Sequence, residues 1–487
     1  MSIRSGENLR GQSADTLDEK SNPVYNVHTA MPRFNFYLIL LALLVYALTA
    51  GVSLRDRLLV ATLHRIEHDA YFEPSAQELF EGAMSGMADV LSGEHGDGYS
   101  RYIPPSRQAR YQDNLNDRYE GLGISLRTHE VGGEKKLLID FPLYESPAYR
   151  AGLRSGDQIL QINGTSVADK TSSEIVQFLR QQRESEIHLS VLPFGQTEPQ
   201  DFFVRPEKNY YASVVGSYFD SGSPVFHLEA HPNIGYVGIT SFNGATAHKF
   251  GDALDKMMQS GVEAFILDLR DNPGGDVWNC VLVARMLIAP DAVAGNVVAT
   301  VQDRNGRKRF RHRHFVLTEG SQRCTLPMVV LIDDETASSS EILAAALQDH
   351  RRATIVGTRS FGKGIIQGIM ALPFQSGMLQ LTDSEYLRPN GAIIHRKKNA
   401  ADSDNWGIVP DKIIEFSDAE QVAVKAYRVL RSNVISSERS AILDQFRQQI
   451  IETLNSEKSP SGQFEFTGTA PYYDLQLDEA IKILLAD

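Results

Sequence analysis

Between Gly235 and Gly357 the sequence alternates short apolar runs with longer stretches of helical spacing, and no other feature restricts the fold as much. Strands are read at Tyr236 to Ile239, Ala264 to Leu269, Met328 to Ile332 and Thr354 to Gly357. Helices at Thr246 to Met258, Val277 to Leu287 and Ser339 to Asp349 fall between them. The run Ala264 to Leu269 (AFILDL) is almost wholly apolar, as expected of a strand covered on both faces. Strands separated by helix-length segments need crossover connections, which predicts an α/β core with substantially parallel pairing.

That core cannot account for 487 residues, at about 100–200 per domain. Residues 1–33 are polar and of mixed charge, the composition of a disordered tail. Phe34 to Leu54 is a run of 21 residues without a charge, flanked by Arg33 and Arg55. It is long enough to span a bilayer as a helix. A cleaved signal peptide would have a shorter apolar core and would not follow 33 polar residues. The expectation is an uncleaved signal anchor, a tail in the cytoplasm and the remainder outside it, in the periplasm or extracytoplasmic space. Arg55 to Ser92 reads as helical, within a helical segment 55–117. Residues 118–195 read as a small β-rich domain, with strands at Leu137 to Phe141, Asp157 to Asn163 and Ile187 to Leu192 and a helix at Ser172 to Gln181. The core is assigned to 196–415 and a mainly helical region to 416–487.

The net charge of -13 speaks against nucleic acid as a main partner, because a phosphate binder presents a basic surface. The one dense basic run, Arg304 to His314, contains Asn305-Gly306 and reads as an exposed hairpin. Two cysteines, Cys280 and Cys324, make no disulfide framework, so the fold must rest on its own cores.

Chemistry concentrates in three segments. Thr336 to Glu341 (TASSSE) precedes the helical run ILAAALQD, and Ser338 with Glu341 has the spacing of a capping box. A hydroxyl at a helix N-terminus also suits a nucleophile, since the positive end of the helix favours negative charge developing nearby. The elbow Gly-x-Ser-x-Gly is absent, and no histidine falls in a triad pattern. Lysine is the other base that serine uses, provided that burial lowers its pKa. Lys363 lies between Gly362 and Gly364, and in an extended segment Gln367 would point to the same side and orient the amine. Arg270 to Gly275 (RDNPGG) ends an apolar strand where α/β sheets place their sites. Gly274 or Gly275 could supply one oxyanion donor and the N–H of Ser339 the other. His64, Glu67 and His68 fit His-x-x-Glu-His, a zinc-protease pattern, but without an evident third partner they read as a solvated helix face.

Taken in order, a PDZ-like module, DLRDNPGG, TASSSEILAAALQD, VGTRSFGKGIIQ and GIVPD resemble the carboxyl-terminal processing proteases, also called tail-specific proteases, of peptidase family S41. The resemblance covers roughly residues 60–415 and touches Tyr473 to Leu484. It implies an α/β core of the S41 (ClpP/crotonase-like) type with an inserted PDZ domain. In that family the serine precedes the lysine by 25 positions and a glutamine follows four later, which selects Ser338, Lys363 and Gln367. Thr336 stands where the family often has serine, and the stretch 416–470 is less typical. Gly121-Leu122-Gly123-Ile124 resembles the carboxylate-binding loop of a PDZ domain, which would hold a protein C-terminus. The resemblance implies a serine endopeptidase acting near the C-termini of protein substrates, with no metal or organic cofactor. The membrane, and a homo-oligomer or adaptor protein, are the other partners considered. The opposing reading is a catalytically silent, membrane-tethered scaffold that binds C-termini.

Overall fold

The computed structural model describes Leu38, Leu41, residues 53–428 apart from short stretches (94–95, 116–117, 132–133, 144–145, 169, 182–184, 211, 221–222, 291–292, 308–314, 402, 418–419, 422–423 and 426–427), and residues 474–486. The chain divides into two compact units between Gly82 and Ala83.

In the first unit, helix Leu54–Asp69 is opened by Ser53. The Asp56 N–H donates to Ser53 Oγ at 3.3 Å, and the Ser53 N–H donates to the Asp56 carboxylate at 2.8 Å. A reciprocal cap of this kind satisfies two of the donors that a helix start leaves open. The helical reading of Arg55 to Ser92 resolves into two helices, the chain breaking after Asp69 and resuming as Ala76–Gly93. Pro74 has no N–H to continue the first helix, and Glu73 sits at φ 46°. Ser75 then caps the second helix, accepting from the Glu78 N–H at 3.2 Å. The candidate anchor 34–54 lies outside the described residues except for Leu38, Leu41, Ser53 and Leu54, as does the tail 1–33. Among the described residues no helix is long and apolar enough to cross a membrane.

The second unit contains the β-rich module. Strands Ile124–Val131, Glu134–Pro142, Gln158–Ile162, Ile187–Leu192 and Gln200–Val204 form one antiparallel sheet in that order. Burial alternates along Ile187–Leu192, as in a sheet with one covered face. Ile139, Ile159, Ile175, Ile187 and Leu189 fill the core beneath it. The sheet runs past the expected boundary at 195 to its last strand, Gln200–Val204. A separate ladder pairs Arg118–Gly121 with Glu207–Tyr210, so the module's entry and exit strands lie side by side.

The core is a six-stranded sheet ordered Val214–Val215, Ile234–Ile239, Ala264–Asp268, Met328–Ile332, Thr354–Gly357 and Lys412–Ile413. All its pairings are parallel except the first. Side-chain alternation divides its strands between two cores. Phe265, Leu267, Val330 and Ile332 meet residues of helices Thr246–Gln259, Val277–Leu287 and Ser339–Asp349. Ile266, Val329 and Leu331 meet Leu477, Ala480 and Ile481 of helix Leu475–Ala486. Cover on both faces explains the near-continuous apolar runs in the sequence.

A second, antiparallel sheet carries Arg101–Ile103, Met378–Leu387 and Thr300–Gln302, with Ile365–Ala371 also paired to Met378–Leu387. The strand Ile365–Ala371 begins two residues after Lys363, and its register shifts between Ile366 and Gln367, so 363–367 is not one regular extended segment with Lys363 and Gln367 on one side by simple alternation. Asn305-Gly306 does form a turn, with the Gly306 N–H on the Asp303 carbonyl at 2.9 Å, while 308–314 lie outside the described residues. Cys280 and Cys324 are both unpaired and buried.

Candidate active site

The nucleophile candidate sits where a parallel strand meets a helix. Strand Met328–Ile332 ends at Asp333, and Thr336 braces the turn. Its hydroxyl donates to the Leu269 carbonyl at 3.0 Å and accepts from the Asp333 N–H at 2.9 Å. Ser338 follows at φ 58°, ψ −118°, a conformation that costs a non-glycine residue about 1–3 kcal/mol. Strain of that size persists only where neighbours over-determine it. Of the three serines, Ser338 is partly exposed while Ser339 and Ser340 are fully buried. Ser339 Oγ donates to the Gly275 carbonyl at 2.9 Å, so Ser338 presents the accessible hydroxyl.

Glu341 supplies the over-determination. It was read from the sequence only as half of a helix cap, and it is fully buried. One carboxylate oxygen accepts from the N–H of Ser338 and the N–H of Lys363, both at 2.8 Å. The other accepts from the Ser360 hydroxyl and the Gly362 N–H, both at 2.6 Å. Backbones 25 residues apart thus hang on one side chain. Burial pushes the Glu341 carboxyl up to about 7, against the four donors that pull it down. Four donors and no acceptor around it match the ionised form. The Ser-x-x-Glu spacing was the available signal, but nothing local links it to residue 363.

The oxyanion candidates separate. Gly274 packs so closely on Ser338 that an added Cβ would stand 2.7 Å from Ser338 Cβ and 2.9 Å from the Ser339 nitrogen. At φ 97° the position also requires glycine. Its N–H, however, donates to Asn272 Oδ1 at 2.9 Å. Gly275, at φ 131°, lies against the backbone of Phe242, and no described residue accepts from its N–H. The Ser339 N–H opens a helix, where no carbonyl of a preceding turn reaches it.

Lys363 has its backbone on Glu341, but its side chain is elsewhere. The amine lies 4.2 Å from the centroid of the Tyr99 ring, and among the described residues no hydrogen bond joins it to Ser338 Oγ. Burial lowers the Lys363 pKa, Arg101 lowers it further, and Glu341 opposes them. Gln367 Nε2 donates to Thr382 Oγ1 at 3.2 Å, and that hydroxyl donates to Asp97 at 3.0 Å. Asp97 and Tyr99 were missed in the sequence, where they are part of a glycine-rich loop some 260 positions before Lys363.

The RDNPGG turn is fixed from behind. Buried Arg270 bonds the Asp268 carboxylate at 2.7 and 3.0 Å and Asp474 twice at 2.9 Å. Tyr236 donates to Asp268 at 2.7 Å, and Arg428 pairs with Asp271. The charged arginines around Asp268 hold its carboxyl well below the usual range despite burial. Residues that begin the last helix thereby anchor the turn that ends in Gly274 and Gly275.

In the β-rich module Leu122 is buried in the core and Gly123 sits at φ 77°. The Leu122 carbonyl accepts from the Ala148 N–H at 3.0 Å, and the Gly123 carbonyl from the Leu143 N–H at 2.8 Å. Gly121 ends one strand and Ile124 begins the next, so the four residues form a strand-to-strand loop. In the other unit, His64, Glu67 and His68 bring ligand atoms within 4.8 Å of one another. They do so on a helix without a buried residue, the solvated face expected.

A partly exposed serine on a strained strand-to-helix turn, close to a glycine turn with an unoccupied amide, is the constellation of a serine-type hydrolase. Comparison with known proteins narrows the class. The model of peptidase family S41 matches residues 233–414, and that of the PDZ domain residues 113–192. The chain is 31% identical over 416 residues to the carboxy-terminal-processing protease of Bartonella bacilliformis, covering 84% of each chain. It is 28% identical over 457 residues to the carboxy-terminal processing protease CtpA of Bacillus subtilis, covering 90% of this chain and 91% of that one. The chain belongs to peptidase family S41, the serine-type carboxy-terminal processing proteases, and it carries a PDZ domain.

Proposed function

We propose that the chain is an endopeptidase that cleaves near the C-termini of protein substrates with Ser338 as nucleophile and Lys363 as general base. The observation that carries this reading is the shared carboxylate of Glu341, which holds the backbones of Ser338 and Lys363 together. Neutral Lys363 takes the Ser338 proton as Oγ attacks the peptide carbonyl carbon. Negative charge on the carbonyl oxygen is met by the N–H groups of Ser339 and Gly275, since the Gly274 N–H is engaged with Asn272. As the C–N bond breaks, Lys363 returns the proton to the leaving amine. Water then attacks the acyl-enzyme with Lys363 again accepting the proton; the bond between the carbonyl carbon and Ser338 Oγ breaks, Lys363 returns the proton to Oγ, and the acid is released. Gln367 orients the amine from the adjoining strand.

The PDZ loop Gly121 to Ile124 receives the substrate's terminal carboxylate, and the tail adds to the sheet as a strand. The uncharged run Phe34 to Leu54 anchors the chain in a membrane with the catalytic part outside the cytoplasm, a reading supported by its length and lack of charge. Protease protection of residues 55–487 in sealed vesicles tests that orientation.

The test of the function is cleavage of an unfolded protein with an apolar C-terminus by wild type, Ser338→Ala and Lys363→Ala, with and without chelator. Chelator-insensitive cleavage abolished in both variants is the expected result. Tail binding without cleavage by wild type would make the chain a scaffold instead.

A further inference from the structure

We propose that the Tyr99 ring is a resting seat for the Lys363 amine, holding it as an ammonium away from Ser338 and thereby setting the pH at which the base becomes available. The proposal rests on the reading of Lys363 as general base and names the residue that regulates it. The amine lies 4.2 Å from the ring centroid, within the distance at which a ring's negative face attracts a cation. A neutral amine gains far less from that face, so the seat favours the protonated side chain. A nucleophile's base needs the opposite form, so departure from Tyr99 and loss of the proton go together.

The seat is built rather than incidental. Asp97 accepts from the Tyr99 N–H at 3.0 Å, the Ser100 N–H at 3.2 Å, the Ser100 hydroxyl at 2.5 Å and the Thr382 hydroxyl at 3.0 Å. The Ser100 hydroxyl in turn accepts from the Thr382 N–H at 2.9 Å. Strand Arg101–Ile103 then pairs with Met378–Leu387, so the turn bearing Tyr99 is fixed to the sheet that carries Gln367. The same Thr382 hydroxyl accepts from Gln367, so the turn that meets Lys363 through Tyr99 is linked to Gln367 through Thr382. No hydrogen bond engages the Tyr99 hydroxyl among the described residues, which leaves the ring face as the feature in use.

The charged surroundings of Lys363 divide. Arg101, on the strand after the turn, opposes the ammonium, and Glu341, from the nucleophile helix, favours it. Beyond them Asp97 and Glu341 face Tyr99, while Glu385 and Asp97 face His395, which packs against the Gly362 to Gly364 loop. None of these is altered by replacing the ring with an aliphatic chain of similar reach. Tyr99 is therefore separable from its neighbours by substitution.

The test compares full-length wild type with Tyr99→Phe, Tyr99→Leu and Tyr99→Met. The pH at which Lys363 is half-titrated is read from its acetylation rate by mass spectrometry over a pH series. The pH profile of kcat/KM is measured alongside. Tyr99→Phe keeps the wild-type half-point, because it keeps the ring. Tyr99→Leu and Tyr99→Met lower it by about half a unit to one unit, and kcat/KM on the acid limb rises by roughly three- to tenfold. An unchanged half-point in the folded aliphatic variants overturns the proposal, as does a shift in Tyr99→Phe as large as in Tyr99→Leu. Acetylation does not depend on turnover. If wild type shows no Ser338-dependent cleavage, the functional reading fails, while the half-points still judge the seat.

Discussion

The two halves of the candidate dyad are held to different degrees. On the nucleophile side, Ser338 is fixed by backbone. A strained φ of 58°, the Glu341 carboxylate and the first turn of a buried helix define where its hydroxyl stands. On the base side the same carboxylate fixes the Lys363 N–H, but four rotatable bonds separate that backbone from the amine, which rests on Tyr99. The difference teaches that assembly and readiness are distinct. The fold brings the backbones together permanently, and whether the amine reaches the hydroxyl is left to a side-chain rearrangement and a proton.

The largest effect that would break this contrast is at the shared residue. Glu341→Ala leaves four donors without their acceptor, two of them buried, where each unsatisfied group costs about 1–3 kcal/mol. The expected outcome is a loss of several kcal/mol in denaturant unfolding, together with loss of activity on both sides at once. Next come the supports behind the glycine turn. Asp474→Ala leaves Arg270 partly uncompensated at a buried site, where removing one partner costs about 3–5 kcal/mol. Its stability, read from urea midpoints, should fall by that order, with Lys363 titration unchanged.

A pH series sharpens the comparison because stability and activity should move in opposite directions. Glu341 and Asp333 both have folded-state values near 7 through burial, above their ordinary 4.5 and 3.8. A carboxyl raised on folding contributes stability below its unfolded value and loses it as pH rises through the folded one. Their contribution should therefore decline from about pH 4 to pH 7. Activity should climb over the same range and beyond it, up to a lysine value below the ordinary 10.5. Thermal midpoints and kcat/KM measured at matched pH check both slopes. The smallest expected effect is at Gln367. Replacing it by alanine removes one part-buried hydrogen bond to Thr382, worth about 1 kcal/mol, so kcat should fall about tenfold or less with little change in unfolding.

Much of the α/β core was legible because its strands are covered on both faces and read as apolar blocks. Helices Val277–Leu287 and Ser339–Asp349 and strands Met328–Ile332 and Thr354–Gly357 lie where the periodicity puts them. Ser338 and Lys363 were singled out by motif order and spacing, and the glycine turn by its place at the end of a strand. The break at Pro74 is faint in the sequence, because one proline within a helical pattern is a weaker signal than a cluster. Hidden altogether was what depends on distant pairing. Asp97 meets Thr382 and Arg270 meets Asp474 across 285 and 204 positions, and no local pattern marks such partners. The choice between Gly274 and Gly275 likewise turned on Asn272, a hydrogen bond that no spacing announces.

The measurement that bears most directly on the central claim is labelling of the intact chain by a fluorophosphonate, with the adduct located by mass spectrometry in wild type and Lys363→Ala. The account predicts one adduct, on Ser338, forming faster as pH rises, with a rate lower by orders of magnitude once Lys363 is removed. An adduct on Ser339 or Ser340, or labelling of Ser338 indifferent to Lys363, would contradict it.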